Sequence, residues 1–313
     1  MMPDDGARPL VPAAASAEVE SAPDGARRHV RLGLAGLRPE GHHRRMGPTR
    51  AAVTVARRYG LVVEQPVVLS DSNNVVVWLA PSAVVAKVGT GHHGRLDHEL
   101  AVAKHLTAVR APIVPPSDEV PREVHVCDGF DVTFWEYHPR QDQEIDPRRL
   151  AHALFELHKG LAGYGGDVHS YRSELEAVHE LLAEGSRVRA LKDSDRTLLV
   201  GRLDTALAVL GQRQPDERVL HGSPHDLNVI VVAGAPRFVD LETVCVGPLE
   251  WDLAHAGTEV ANAYPGTWDP ETLRLCKGLV SVKTPAWCWA RVEHPGMQWH
   301  AEHHLAQVRQ MAT

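Results

Sequence analysis

The most informative part of this chain is residues 219–257, VLHGSPHDLNVIVVAGAPRFVDLETVCVGPLEWDLAHAG. A polar turn between His221 and Asn228 leads into two short strand-like runs, which a Gly-Ala-Pro turn separates. Runs rich in β-branched residues on either side of such a turn predict a hairpin. The second run ends at Asp240. The pattern therefore predicts a polar loop, a hairpin, and hard oxygen ligands at the two ends of that hairpin.

Asn228 and Asp240 form the most specific polar pair of the segment. Mg²⁺ takes few protein oxygens and completes its shell with phosphate and water, so this pair suits it. A carboxylate that ends an apolar strand also needs a cation or hydrogen-bond donors nearby. Glu242, two residues later, is a candidate ligand of a second metal ion or of a metal-bound water. The alternative is that Asn228 caps a turn and Asp240 caps a helix.

The remaining polar residues of the segment have more than one interpretation. His221 and His225 are four residues apart, and with His255 they suggest a transition-metal site, although no third ligand has the usual spacing. A structural histidine in a tight turn is the simpler interpretation of His221. Asp252 follows a Gly-Pro pair and is predicted to cap a helix. A buried Asp252 could also accept backbone N–H groups of residues 221–223 and fix the shape of the turn.

A lysine and a polar turn in the first half of the chain suggest a phosphate site. Lys87 lies in an apolar run, VVAKVG, where its ammonium needs anions if it is buried. We predict that it contacts phosphate and pairs with a carboxylate of the following helix, Glu99 or the less well placed Asp97; an exposed edge-strand lysine is the alternative. The turn SDSNN at residues 70–74, with Ser72 and Asn73, is predicted to cover nucleotide phosphates. An ordinary hairpin turn is the alternative there.

Composition indicates a soluble globular protein. The chain has 313 residues and a formal net charge of −7, which argues against a broad basic surface for nucleic acid or anionic lipid. Its four cysteines form no CxxC pair, so we predict reduced thiols in a cytoplasmic protein rather than a zinc site or a disulfide framework. No apolar run reaches the roughly 18 residues that a membrane span needs.

Periodicity predicts a β-rich first half and a helical second half. Residues 1–45 are expected to form a disordered tail, and a helix is expected to run from residue 49 and stop at Gly60. Residues 46–138 contain strand-like runs around an amphipathic helix, whereas residues 139–313 are mostly helical and carry the polar hairpin. The predicted fold class is α+β, with a small N-terminal antiparallel β-sheet lobe containing one helix, a larger helical lobe, and a cleft between them.

These stretches resemble the aminoglycoside phosphotransferase and choline-kinase-like family, whose members have a protein-kinase-like fold. That family carries H-G-D-x-x-x-x-N, a strand ending in an aspartate followed by x-E, and G-P-x-x-x-D-L-A. The matching stretches here are HGSPHDLN, FVDLET and GPLEWDLA, at residues 221–228, 238–243 and 247–254. The resemblance covers residues 50–260 and is most specific in its last quarter.

The resemblance implies ATP or GTP and Mg²⁺ as cofactors. Mg²⁺ would be bound by Asn228 and Asp240. Lys87, with its partner Glu99, would place the nucleotide phosphates. Glu136 and Tyr137 would form the hinge near adenine.

The main departure from the family is Ser223, which stands where the family has its catalytic aspartate. A loose phosphoryl-transfer transition state needs little deprotonation of the nucleophile, and a general base contributes on the order of 10²–10⁴-fold. Its loss would therefore slow the reaction without abolishing it. Asp226 would substitute if the loop turns its carboxylate inward. Otherwise Ser223 would orient the acceptor hydroxyl or accept a phosphoryl group itself, with His221 as the third candidate catalytic residue.

Two functions follow from these expectations. The first is an ATP- and Mg²⁺-dependent kinase acting on a hydroxyl of a small molecule; the net charge is consistent with a polycationic antibiotic but does not decide the acceptor. The second is a nucleotide-binding pseudokinase with a regulatory or scaffolding role. Lys87, Asn228 and Asp240 favour the kinase, whereas Ser223 favours the pseudokinase. The predicted partner is a small hydroxylated acceptor, without nucleic acid or membrane.

Overall fold

The computed structural model describes residues 40–71, 73–90, 95–141, 144–293 and 297–310. Ser72 and most of the predicted tail lie outside the described residues. Residues 40–45, which the sequence assigned to the tail, form the start of a helix. That helix, α1 (Glu40–Arg58), thus begins earlier than residue 49 and ends, as predicted, just before Gly60.

The described N-terminal part is an antiparallel sheet with two helices. The strand order is β1-β2-β3-β5-β4, with bounds Val63–Asp71, Val75–Pro81, Val84–Thr90, Phe130–Glu136 and His125–Cys127 in that order. Helix α2 (Arg95–Ala108) follows β3. The hairpins and the amphipathic helix predicted here are confirmed, and α1 adds a second helix to the predicted small lobe.

Alternation along β3 explains the position of Lys87. Successive strand residues point to opposite faces of a sheet. Val84, Ala86 and Val88 are buried in the cluster that also contains the apolar face of α1. Lys87 therefore points to the other face, and its register partner on β5 is Thr133.

The C-terminal part is mainly helical. Its helices α3 to α9 span Pro147–Leu161, Tyr171–Glu184, Asp193–Arg213, Leu249–Ala256, Thr258–Ala263, Pro270–Trp289 and Met297–Gln310. Helix α4 ends at Glu184, earlier than predicted, because Gly185 takes a left-handed conformation that stops a helix. None of the helices in the described ranges is long and apolar enough to cross a membrane.

Two short strand pairs interrupt these helices. Strands β6 (Glu217–Leu220) and β9 (Cys245–Pro248) pair with each other and enclose the predicted hairpin of β7 (Val229–Val232) and β8 (Ala235–Phe238). The sequence predicted the hairpin but not the outer pair. Strand β8 ends at Phe238, two residues before the predicted end at Asp240, and a 3₁₀ turn follows.

Phe238 joins this hairpin to the segment that follows α2. Its backbone N–H donates to Pro112 O at 2.9 Å, and its carbonyl accepts the Val114 N–H at 3.0 Å. Its ring is fully buried in a cluster to which α2, α3 and α6 all contribute. The hairpin is therefore fixed to both parts of the chain.

Replacing Phe238 with alanine should lower the free energy of unfolding by about 3–5 kcal/mol, because the change leaves a cavity in a shared core. Denaturant unfolding measures this loss. Leu69, which is exposed, provides the control, and Leu69→Ala should change stability by less than about 0.5 kcal/mol. Equal losses in the two variants would contradict the assigned role of Phe238.

Candidate active site

The open end of the hairpin brings together the residues that the sequence analysis singled out. Val239 N–H donates to Asn228 O at 3.0 Å, which places Asp240 beside Asn228. The Asn228 side chain donates to Ser223 O at 3.0 Å, and the same carbonyl accepts the His225 N–H at 2.9 Å. Asp240 has a left-handed φ of 65°, a conformation for which aspartate is one of the better suited residues.

Lys87 lies at the centre of a cluster of carboxylates. Its Nζ is 2.9 Å from Glu99 Oε1 and 2.5 Å from Asp240 Oδ1, and it is 3.5 Å from Glu242 Oε2. The lysine is only 8% exposed. The predicted pairing of Lys87 with Glu99 is therefore present, and the lysine also contacts the carboxylate predicted to bind the metal ion.

Burial and charge oppose each other in this cluster. Burial alone would lower the pKa of Lys87, but the three carboxylates outweigh it and the pKa is raised. Burial raises the pKa of Glu99 to about 7 despite the attraction of Lys87. Burial also acts to raise the pKa of Asp240, yet Lys87 outweighs it and the pKa of Asp240 is lowered. Asp240 is thus held ionised, as a metal ligand must be.

The turn between β1 and β2 reaches across to this cluster. Asn74 Nδ2 donates to Glu242 Oε2 at 2.8 Å, and the Asn73 side chain accepts from the guanidinium of Arg291. Glu242 is therefore an anchor for this turn as well as a neighbour of Lys87, and its role as a metal ligand stays a prediction. Asn74 and Arg291 were not predicted from the sequence, because no local pattern shows which distant residue a turn will contact.

The backbone N–H groups of the two predicted hinge residues, Glu136 and Tyr137, already have hydrogen-bond acceptors. Glu136 N–H donates to Pro115 O at 3.2 Å, and Tyr137 N–H donates to Ala83 O at 2.9 Å. Trp78 stacks on the Tyr137 ring with centroids 4.3 Å apart. These two N–H groups therefore belong to the framework around the hinge, and contact of the two residues with adenine stays a prediction.

Asp252 holds the polar turn through hydrogen bonds to its backbone. Its Oδ2 accepts the His221 N–H at 2.9 Å and lies 2.8 Å from His158 Nε2, while Oδ1 accepts the Gly222 N–H at 2.8 Å. His158 in turn lies 2.8 Å from the Tyr264 hydroxyl. The prediction that a buried Asp252 holds the turn is confirmed. His158 was missed as a partner, although a histidine among leucines on an apolar helix face was a signal.

The predicted helix-capping role of Asp252 is wrong. The residue that precedes α6 is Pro248, and Asp252 lies inside the helix with no exposed surface. The turn that it holds also requires glycine at position 222. Gly222 has a φ of +88°, and a Cβ there would lie 1.9 Å from Thr243 O.

His221 has a structural position. Its Nε2 lies 3.1 Å from Val239 O, so this nitrogen carries the proton, and Nδ1 accepts the Ser223 N–H at 3.4 Å. The ring is fully buried, and burial lowers its pKa, which agrees with a neutral imidazole. The interpretation as a satisfied histidine in a tight turn therefore fits better than the predicted catalytic role.

Ser223 and Asp226 have different surroundings. Ser223 is 8% exposed, and its hydroxyl makes no hydrogen bond within the described parts of the chain. Asp226 is exposed, its Oδ1 accepts the Leu227 N–H at 3.0 Å, and its carbonyl accepts from Arg140 at 3.2 Å. The side chain is thus exposed rather than buried in the loop, and its substitution for the missing aspartate stays a prediction.

The histidines do not form the suggested transition-metal site. His255 Nδ1 donates to Trp251 O at 2.9 Å, and its Nε2 lies 3.0 Å from Lys283 Nζ, so both ring nitrogens are used. Among the described residues, no group of three or more His, Cys, Asp or Glu side chains could hold a metal ion.

Replacing Asp252 with asparagine should lower the free energy of unfolding by about 3–5 kcal/mol, since three buried donors lose a shared anion. Denaturant unfolding measures the change. Asp204→Asn on α5 is the matched control, because Asp204 is exposed and an exposed charge contributes little. A loss below about 1 kcal/mol in the Asp252 variant would show that the carboxylate does not hold the turn.

The lowered pKa of His221 predicts a specific dependence of stability on pH. The unfolded chain binds a proton near pH 6.5, whereas folded His221 stays neutral to lower pH. Its contribution is therefore present above pH 6.5 and is lost as pH falls, by about 1.4 kcal/mol per pH unit. His221→Gln should reduce the slope of unfolding free energy between pH 5 and 6.5, and exposed His152 provides the control. An unchanged slope in the His221 variant would be evidence against the neutral buried ring.

Comparisons with known proteins agree with this geometry. The phosphotransferase enzyme family matches the chain over residues 66–279. A search of curated protein sequences found no match. Among solved structures, a choline/ethanolamine kinase family protein from Mesorhizobium loti is 15% identical with a TM-score of 0.61, covering 83% of this chain and 93% of that chain.

Two further solved structures have the same fold. An amicoumacin kinase in complex with AMP-PNP, Ca²⁺ and Ami is 12% identical with a TM-score of 0.65, covering 86% of this chain and 96% of that chain. The GDP complex of aminoglycoside 2'-phosphotransferase-IIIa is 14% identical with a TM-score of 0.61, covering 88% and 100%. At these identities the likeness shows the fold, which confirms the predicted kinase-like α+β architecture. With the family match over most of its length, the chain belongs to the phosphotransferase enzyme family.

Proposed function

We propose that this protein is an ATP- and Mg²⁺-dependent kinase that phosphorylates a hydroxyl group of a small molecule. The observation that carries the proposal is the contact of Lys87 with both Glu99 and Asp240. This arrangement brings a phosphate-binding cation to the carboxylate that holds the metal ion. Solved neighbours bound to AMP-PNP and to GDP support a nucleotide site.

The residues at the open end of the hairpin fit Mg²⁺. Asp240 supplies an ionised carboxylate and Asn228 an amide oxygen, which is the hard-oxygen set that Mg²⁺ accepts together with phosphates and water. When bound, the ion would neutralise charge on the nucleotide phosphates. Lys87 would hold the phosphates, while Glu99 keeps the lysine in place.

The reaction would form a bond between the acceptor oxygen and the γ-phosphorus and break the bond from that phosphorus to ADP. The hydroxyl proton leaves late in a loose transition state. It would pass to solvent, because the Ser223 hydroxyl is not a general base. We propose that the Ser223 hydroxyl orients the acceptor oxygen, since the loop that carries it is held in shape by Asp252. Asp226 is the weaker candidate for proton transfer because its carboxylate is exposed.

A pseudokinase is the less favoured alternative. Ser223 is the observation in its favour, whereas the presence of Lys87, Asn228 and Asp240 supports the kinase. The acceptor is proposed as a small hydroxylated compound, as in neighbours described with spectinomycin and kanamycin. A cytoplasmic location is proposed from the four free cysteines.

Mg²⁺ with ATP should raise the melting temperature of the wild type, and Asp240→Asn should remove most of the increase because the metal ligand loses its charge. Asp204→Asn, on the surface of α5, should keep the full increase. Differential scanning fluorimetry gives both values, and turnover with a panel of hydroxylated acceptors follows. No increase in the wild type would contradict both the kinase and the pseudokinase.

Ser223→Asp separates these two functions in the same assay. If the protein is a kinase, the wild type should already show turnover. The rate of the variant should then rise by on the order of 10²–10⁴-fold at most, if a general base is all that is missing. A silent wild type beside an active Ser223→Asp variant would favour the pseudokinase instead.

A further inference from the structure

Arg291 links the helical lobe to the turn that covers the proposed phosphate site. It follows α8, and its guanidinium donates to the side chain of Asn73, which is 218 positions away in sequence. Asn73 lies in the turn between β1 and β2, at the tip of the small lobe. The contact therefore joins the helical part of the chain to the β1–β2 turn.

Short contacts connect this tip to Lys87. Asn74, the next residue, donates to Glu242 Oε2 at 2.8 Å, and the same oxygen lies 3.5 Å from Lys87 Nζ. The guanidinium of Arg291 therefore binds the residue next to Asn74, and Asn74 is the residue of the turn that contacts the cluster.

The charges of the cluster leave a need for a further cation. Lys87 is surrounded by the carboxylates of Glu99, Asp240 and Glu242, so its single positive charge is already outweighed. A nucleoside triphosphate would add several more negative charges at this point, and the Mg²⁺ of the proposed function would offset only part of them. Arg291 forms no ion pair within the described residues, and its side-chain hydrogen-bond partner there is a neutral amide. Its fork of five donors matches phosphate oxygens.

We infer that Arg291 is a catalytic residue that contacts the γ-phosphate of the bound triphosphate and stabilises the phosphoryl group during transfer. This inference rests on the proposed kinase function. Its guanidinium exchanges the Asn73 amide for phosphate oxygens, and it neither gives nor takes a proton. Electrostatic stabilisation of the transferring group is a large part of such catalysis. Its share of the rate enhancement is larger where Ser223 replaces a general base.

The test compares the binding of two nucleotides that differ in the γ-phosphate. Calorimetry with Mg²⁺ should show that Arg291→Gln weakens a non-hydrolysable ATP analogue about tenfold or more, the size of one charge-assisted hydrogen bond. ADP should change less than about twofold on the same scale. Arg291→Lys keeps the charge and should recover part of the affinity for the analogue. Arg274→Gln, on the helix that Arg291 follows and paired with Glu271 at the surface, is the control.

The other outcomes distinguish failure of the proposed function from failure of the role assigned to Arg291. If the wild type binds neither nucleotide, the proposed function fails, and this inference fails with it. If the wild type binds both and Arg291→Gln weakens neither of them, or weakens both equally, only the inference about Arg291 fails. If Asn73→Ala reproduces the selective loss, Arg291 acts by holding the turn, and the assigned phosphate contact is wrong.

Discussion

The carboxylate of Asp252 is the constraint on which the rest of the site depends. It lies inside a helix without exposed surface and accepts two consecutive backbone N–H groups of the polar turn, together with a contact to His158. A buried charge is tolerated only when several donors satisfy it. The geometry of the turn is thus set by the helical core below it. The side chain at position 223 contributes little to that geometry, so a serine there leaves the framework intact.

A second constraint is charge neutralisation around Lys87. An ammonium buried among three carboxylates joins a strand, a helix and the end of the β7–β8 hairpin in one electrostatic unit. Neither sign of charge would be stable there alone. The same unit holds the carboxylate of Asp240 next to the ammonium of Lys87. Preorganised charge of this kind is what phosphoryl transfer requires from a protein.

Much of this arrangement could be predicted from the sequence because local patterns determine it. Runs of β-branched residues bounded by turn residues predicted the strands, and a lysine in an apolar strand predicted anionic partners, of which Glu99 is one. The hairpin between Asn228 and Asp240 followed from a turn between β-branched runs. These features depend on neighbouring residues, or on a buried charge that must be satisfied.

Other features could not be predicted because they depend on the tertiary fold. The pairing of β6 with β9 joins segments that the hairpin separates. The contacts of Asn74 with Glu242 and of Asn73 with Arg291 join residues more than a hundred positions apart. Asp252 was expected to begin its helix, yet the helix starts at Leu249 and the carboxylate points back into the turn. The direction of Asp226 likewise depends on how the turn packs.

The backbone bonds between Phe238 and the segment after α2 have a consequence for how the hairpin is attached. They join the β7–β8 hairpin to the segment that follows that helix, and the Leu241 N–H also donates to Glu99 on the same helix. Hairpin and helix are therefore tied together through backbone groups. Asn73 and Asn74 of the β1–β2 turn, by contrast, meet Arg291 and Glu242 through their side chains.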